Sequence, residues 1–351
     1  MSKNKLGGLL ICSFTALLSI QLSNYIGIEL LNLEKSPISP IIIAIIIGSL
    51  VSNSIKNINY YNDGFTFSIK YLLKLGIILL GIRLSISDIL LYGSQGLLVI
   101  IPCIVISIFI VKNLRKYFKV SDNLSLLIAV GTSICGATAI VALAPAINSK
   151  KEEISYAIAN ITIFGLIAMF LYPLLAYTAF NDNSLAVGLF LGTSIHETAQ
   201  VAGSGMIYAE QYENPSVLDI ATVIKLVRNT MMVIVIPILA YQTKKGLGPE
   251  NKINIGSIFP YFIIGFLVFG IIRTIGDQFE YQIGSEVWNS IVHNIKFLAE
   301  LLLIIAMSAV GYNTKIDKFK NLGLKPFYLG FIAAASVGIV SFSIIYLFFQ
   351  F

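Results

Sequence analysis

The sequence has too little charge for a protein that lives in water. Only 12% of its 351 residues are Asp, Glu, Lys or Arg, against roughly 25% in ordinary soluble domains. A soluble enzyme of this size could not cover its surface with so few. Histidine and cysteine are equally scarce. His196 and His293 lie far apart, and Cys12, Cys103 and Cys135 show neither metal-ligand spacing nor a disulfide framework. No metal site and no cofactor is expected. A nucleotide-binding motif is absent as well, which excludes an ATP-driven motor within this sequence.

What is present is apolar sequence in long runs, 56% of the chain. A bilayer crossing takes about 20 such residues, so eleven crossings would use about 220 and leave only short loops. The candidate spans are 6–22, 38–51, 68–84, 96–111, 124–147, 154–177, 185–208, 217–241, 258–275, 295–312 and 327–349. They predict an all-α polytopic membrane protein of about eleven transmembrane helices, forming a single transporter domain over 1–351. The second run is short, with Pro37 and Pro40 at its start. The first follows Lys3 and Lys5, and no small-x-small cleavage site follows Leu22, so a retained additional helix at 6–22 is expected.

Basic residues give these spans a direction. With the N-terminus inside and strict alternation, the inner segments hold fifteen Lys and Arg. These are Lys3, Lys5, Lys56, Lys70, Lys112, Arg115, Lys116, Lys119, Lys244, Lys245, Lys252, Lys315, Lys318, Lys320 and Lys325. The outer segments hold six: Lys35, Arg83, Lys150, Lys151, Arg273 and Lys296. Cytoplasmic enrichment of Lys and Arg sets orientation. A bacterial cell-membrane protein with its N-terminus cytoplasmic and its C-terminus outside is expected. The net charge of +6 then follows from topology and requires no nucleic-acid partner. The basic run 112–119 reads as a solvated loop against anionic lipid.

Two spans are interrupted by small and hydroxyl residues. One contains Gly131-Thr-Ser-Ile-Cys-Gly-Ala-Thr, the other Gly192-Thr-Ser-Ile-His-Glu-Thr-Ala-Gln. Gly followed by Thr and Ser is a poor helix interior, and its hydroxyls suit a helix start. In hydrocarbon a broken helix survives only where protein or a watery cavity satisfies its open backbone groups. A half-helix N-terminus would then present amides to an anion. The alternative is that these small residues merely allow close helix packing.

Charges inside the spans bear on that choice. His196 and Glu197 fall in the seventh, and Lys225 and Arg228 in the eighth. Thr222, Lys225, Arg228 and Asn229 form one helical stripe. A charge at the bilayer centre costs on the order of 2.5–3.5 kcal/mol on insertion scales, so these side chains should face inward and have partners. A Glu197 salt bridge to Lys225 or Arg228 would satisfy that structurally. The functional reading gives Lys225 and Arg228 to an anionic substrate and gives Glu197, with His196, to protons. Lys74 and Glu300 stand as lone charges in apolar spans. The segments Leu80-Gly-Ile-Arg-Leu-Ser-Ile-Ser-Asp88 and Val310-Gly-Tyr-Asn-Thr-Lys-Ile-Asp317 resemble each other on oppositely directed spans, as an inverted repeat would produce.

Taken together, Leu80-Gly-Ile-Arg-Leu-Ser, the two Gly-Thr-Ser-Ile segments and Lys225-Leu-Val-Arg228 resemble the YeiH-type sulfate exporter family, UPF0324-like. The resemblance runs from about Ser36 to the C-terminus. It implies kinship with the bile acid–sodium symporter and sodium–proton antiporter group, hence inverted five-helix repeats, about 38–177 and 185–349, with interrupted helices crossing. It also implies that Ser133, Cys135, Gly136 and Thr138 belong to one crossing segment and His196, Glu197 and Gln200 to the other. The sequence departs from the family at Asn229-Thr-Met-Met, where more aliphatic residues are expected.

The expected function is secondary active transport of a small anion: sulfate, or an organosulfur or carboxylate anion, coupled to protons or sodium. Its expected substrate-contacting residues are Thr132, Ser133, Cys135, Gly136, Thr138, Thr193, Ser194, His196, Gln200, Lys225 and Arg228, with Glu197 and His196 carrying the coupling ion. The expected partners are that anion, its coupling ion and lipid. A passive anion channel is one alternative. An intramembrane hydrolase using Ser194 or Cys135 with His196 is another, and a sensor that binds the anion without moving it is a third.

Overall fold

The computed structural model describes residues 3–30, 39–181, 183–243, 260–314 and 324–349. Fourteen helices account for most of them: α1 (Lys3–Asn24), α2 (Pro40–Ser54), α3 (Asn62–Arg83), α4 (Ile86–Leu114), α5 (Asp122–Cys135), α6 (Ala137–Ile147), α7 (Lys151–Phe180), α8 (Ser184–Ser194), α9 (Thr198–Gln211), α10 (Ser216–Thr230), α11 (Met232–Thr243), α12 (Phe262–Gln278), α13 (Ser285–Asn313) and α14 (Leu324–Phe348). No strand occurs among the described residues. The protein is an all-α polytopic membrane protein. Among the described residues, seven helical segments are long and apolar enough to cross a bilayer, and several shorter apolar helices accompany them. Every predicted span is mainly helical where it is described, with the fifth interrupted at Gly136 and the seventh at 195–197.

The pattern of exposure fits hydrocarbon, not water. On α4, Val99, Ile100, Cys103 and Val111 are buried, while Leu98, Ile101, Val105 and Phe109 are each more than half exposed. Soluble proteins do not sustain apolar faces of that extent. Pro102, Pro173 and Pro237 sit inside α4, α7 and α11, as membrane helices tolerate when neighbours satisfy the freed carbonyls.

The chain divides into two compact units, each drawn from both halves of the sequence. The first comprises Met1–Leu90, Met206–Pro215 and Tyr261–Asp317. Within it α2 lies directly on α13: a Cβ on Gly48 would stand 2.6 Å from the Ser308 carbonyl, so only glycine permits this approach. Phe65 and Tyr312 stack at 4.5 Å, and Thr15 shares a 2.9 Å hydrogen bond with Tyr312. The lone charges of this unit find partners. Arg83 binds Glu300 at 2.8 Å, and Lys74 lies 5.7 Å from the Phe262 ring centre.

The second unit comprises Leu91–Gly205, Ser216–Pro260 and Lys318–Phe351. It contains both Gly-Thr-Ser-Ile segments and both basic residues of the eighth span. Here α8 packs along α10, with Ile220 filling the space beside Gly188. A buried 2.6 Å hydrogen bond joins Thr193 to Ser341 on α14.

Several residues used for orientation lie outside the described residues: Lys35, Lys244, Lys245, Lys252, Lys315, Lys318 and Lys320, with the side chains of Lys3, Lys56 and Lys151. Residues 315–317, which end the second of the two similar segments, also lie outside them.

Candidate functional site

Both Gly-Thr-Ser-Ile segments end in a break. The Ser121 hydroxyl caps the start of α5, which then runs inward to Val130. Over 131–135 it widens, so that the Gly136 amide bonds the Gly131 carbonyl at 2.9 Å. Gly136 then turns at φ 72°, ψ −132°, a conformation that costs any residue with a Cβ. A Cβ there would also collide with Glu197 Cγ. Beyond it α6 begins.

The second break lies between α8 and α9. Ile195 is extended at φ −84°, ψ 141°. Helical bonding resumes when Val201 N–H donates to the Glu197 carbonyl at 3.0 Å. Gln200 supports this start. Its Oε1 accepts from Glu197 N–H at 3.2 Å while its Nε2 donates to the Thr162 carbonyl at 3.3 Å. This is one half of a capping box.

The sequence reading assigned the two motifs to helix starts, and the structure corrects this. They close the first half-helices, and the hydroxyls of the second motif bond backward. Thr193 Oγ1 donates to the Leu189 carbonyl at 2.7 Å, and Ser194 Oγ donates to Phe190. A serine or threonine hydroxyl can cap an amide ahead of it or a carbonyl one turn behind. Sequence alone does not choose between them.

The breaks therefore expose carbonyl oxygens, the negative ends of two helix dipoles. Lys225 and Arg228 on α10 meet them. Lys225 Nζ donates to the carbonyls of Ile134 at 3.1 Å, Ile195 at 2.8 Å and His196 at 2.5 Å. Arg228 Nε donates to Ser133 at 2.7 Å, and Nη1 to Thr193 at 2.7 Å and Ile195 at 2.8 Å. Its Nη2 donates to the Thr132 carbonyl. Both residues are fully buried. All three ammonium protons are engaged, as are four of the five guanidinium N–H groups. The side chains expected to hold a substrate with hydrogen bonds hold the two breaks with them instead. The expected Glu197 salt bridge does not form with either cation; among the described residues the ion pairs lie elsewhere.

Around the breaks, several buried polar atoms have no hydrogen-bond partner among the described residues. They are Ser133 Oγ, both ring nitrogens of His196 and Asn229 Oδ1, on residues that are 0%, 1% and 2% exposed. The Asn229 amide is anchored at its other end, where Nδ2 donates to Thr198 Oγ1 at 3.0 Å. Asn229 and Thr198 were absent from the expected site. An asparagine four residues after Lys225 in an apolar helix was the available signal. Thr138 is exposed, and Ala137, Glu197 and Thr198 are half-buried. The Glu197 side chain reaches across to the first break, where its Oε1 would stand 3.3 Å from a Cβ added at Gly136. Polar groups thus change from sealed to accessible across the breaks, with the cations on the sealed side.

The nucleophiles weighed for hydrolysis are engaged elsewhere. Ser194 Oγ points back to Phe190, and Cys135 Sγ lies 3.0 Å from Met232 Sδ. Neither is hydrogen-bonded to His196.

Comparison with known proteins places the chain. The family model described as conserved hypothetical protein 698 matches residues 7–330. A UPF0324 membrane protein of Streptococcus agalactiae is 32% identical over 97% of this chain and 96% of its own length. One of Fusobacterium nucleatum is 33% identical over 96% of each. The chain belongs to the UPF0324 family of membrane proteins. A Bacillus anthracis UPF0324 membrane protein, 34% identical over 87% of this chain, extends the likeness. No solved structure matches. The UPF0324 match takes in every motif that carried the sequence resemblance, from Leu80 to Arg228.

Proposed function

We propose that the protein is a secondary active transporter of a small anion, either sulfate or an organosulfur or carboxylate anion, driven by a proton or sodium gradient across the bacterial cell membrane. The observation that carries this reading is how Lys225 and Arg228 are held. Carbonyl dipoles satisfy their hydrogen bonds without cancelling their charge. With Glu197 as a carboxylate and His196 neutral, the breaks keep a net positive charge among apolar helices. Charged side chains within membrane spans are rare, pair with one another or with backbone carbonyls, and mark substrate and ion pathways. An uncompensated positive centre beside accessible hydroxyls suits a passing anion. Interrupted helices meeting inside one unit are also the usual construction of midplane sites in secondary transporters. Ser194 and Cys135 bond away from His196, which favours the permease reading over hydrolysis.

The test is uptake of labelled sulfate or methanesulfonate into proteoliposomes under an imposed proton or sodium gradient. Uptake that follows the gradient supports the reading. Flux at channel rates, indifferent to any gradient except the anion's own, would instead identify a passive pore.

A further inference from the structure

We propose that Glu197 is a tethered anion that stands where the transported anion binds, and that one proton releases it. This rests on the transporter reading above and deepens it.

Three features of the breaks lead there. Glu197 belongs to the second break, yet its carboxylate lies against the other one, where Oε1 would stand 3.3 Å from a Cβ added at Gly136. The route between them is kept open by Gly136, where a Cβ would strike Glu197 Cγ. The carboxylate therefore lies over the first break in a space that only a missing side chain provides. Next, Lys225, Arg228 and His196 are sealed, whereas Glu197 is half-buried and has accessible Thr138 and Thr198 for neighbours. Glu197 is thus less deeply buried than either cation. Finally, the Asn229 amide is fixed to Thr198 by Nδ2 while its Oδ1, on a residue 2% exposed, has no partner. A buried acceptor left open on an amide bonded to Thr198, the residue after Glu197, is positioned for a proton-bearing group, such as a protonated carboxyl swung back from the break.

The groups around Glu197 give the charge balance. Lys225 faces it from α10, with Arg228 one turn further along that helix, Cys135 faces it from α5, and His196 precedes it on its own segment. With Glu197 ionised, the carboxylate answers part of the buried positive charge and competes with any incoming anion. When Glu197 takes a proton from water, its carboxylate becomes a neutral carboxyl, and one negative charge is lost from the break. A monovalent anion entering in its place restores that charge. Ala137 N–H, with the hydroxyls of Thr138 and Thr198, then faces the new oxyanion. Each such anion is accompanied by one proton, and neither needs a co-reactant. The coupling is competition for a place, which makes it reciprocal: protons strengthen anion binding, and the anion strengthens proton binding.

The experiment is anion titration of the purified full chain in detergent, followed by thermal stabilisation, using sulfate and methanesulfonate as probes. In parallel, proton uptake is read with an indicator dye in weak buffer. The proposal expects wild-type protein to take up about one proton per methanesulfonate bound above the Glu197 titration range, and its apparent Kd to rise about tenfold per pH unit there, the slope of single-proton linkage. Glu197→Gln is expected to bind methanesulfonate at least as tightly as wild type, with Kd independent of pH and no proton uptake. Wild-type binding without proton uptake would overturn the tethered-anion role, as would a Glu197→Gln protein that keeps the pH slope. Because uptake is measured on wild type, a poorly folded variant does not shelter the proposal. Failure of wild type to bind either probe at any pH would overturn the anion-transporter reading and this inference with it.

Discussion

Lys225 and Arg228 converge on a single acceptor: Nζ and Nη1 each lie 2.8 Å from the carbonyl oxygen of Ile195. The two residues stand one helical turn apart on α10, and that shared oxygen belongs to the second break. Their remaining donors reach the first break as well, through Thr132, Ser133 and Ile134. One helix face thereby holds two interrupted helices in register.

Replacing Arg228 by lysine should therefore be costly although the charge is kept. A guanidinium fork reaches four carbonyls, whereas a single ammonium at the end of a shorter stem reaches fewer. Each buried carbonyl left unpaired costs about 1–3 kcal/mol, so a loss of about 3 kcal/mol or more is expected for Arg228→Lys. Reversible denaturation in mixed micelles measures it. A stability equal to wild type would mean that the guanidinium is not what secures the breaks.

Gly136→Ala tests the first break separately. Its backbone strain should cost about 1–3 kcal/mol, and the methyl group would push the Glu197 side chain off the break. The expected outcome is a lower melting temperature together with loss of gradient-driven anion uptake. Undiminished uptake would contradict the placement of Glu197 over Gly136.

The Thr193–Ser341 hydrogen bond offers a smaller, cleaner effect. It ties the last turn of α8 to α14, with Thr193 also bonded to its own helix. A double-mutant cycle with Thr193→Val and Ser341→Ala should return a coupling of about 0.6 kcal/mol, the usual size between membrane helices. A coupling of zero would show that the pair contributes nothing.

Orientation can be read by cysteine labelling, because Cys12, Cys103 and Cys135 are all buried and give little background. Lys116 and Lys150 are both exposed. From the distribution of basic residues, Lys150→Cys should react with a membrane-impermeant maleimide on intact cells. Lys116→Cys should react only after the membrane is opened. The reverse pattern would invert the proposed topology.

Much of this arrangement was legible in the residues. The stripe Thr222, Lys225 and Arg228 has helical spacing, and the structure buries all three on one helix. Gly131 and Gly192, each followed by hydroxyls and then by polar residues, marked the breaks to within a few positions. What the cations hold was not legible, because their acceptors are backbone carbonyls and every residue has one. The direction of the hydroxyl bonds was hidden for the reason already given, that Thr193 and Ser194 serve either end of a helix. The pairing of Arg83 with Glu300 joins residues 217 positions apart, and Gly48 meets α13 only in three dimensions. Neither leaves a local trace. Asn229 was read on the polar stripe but, like Thr198, was not assigned to the site, because its contact with Thr198 is made only in three dimensions.

The central claim is that the positive breaks of the second unit carry an anion across the bilayer by alternating access. Solute counterflow in proteoliposomes tests it most directly. Vesicles loaded with unlabelled sulfate or methanesulfonate are diluted into a trace of the labelled anion, with no other gradient imposed. The account predicts transient accumulation of label above its outside concentration in wild type, abolished by Arg228→Lys in protein that remains folded. Absence of any protein-dependent accumulation, or accumulation unchanged in that variant, would contradict it.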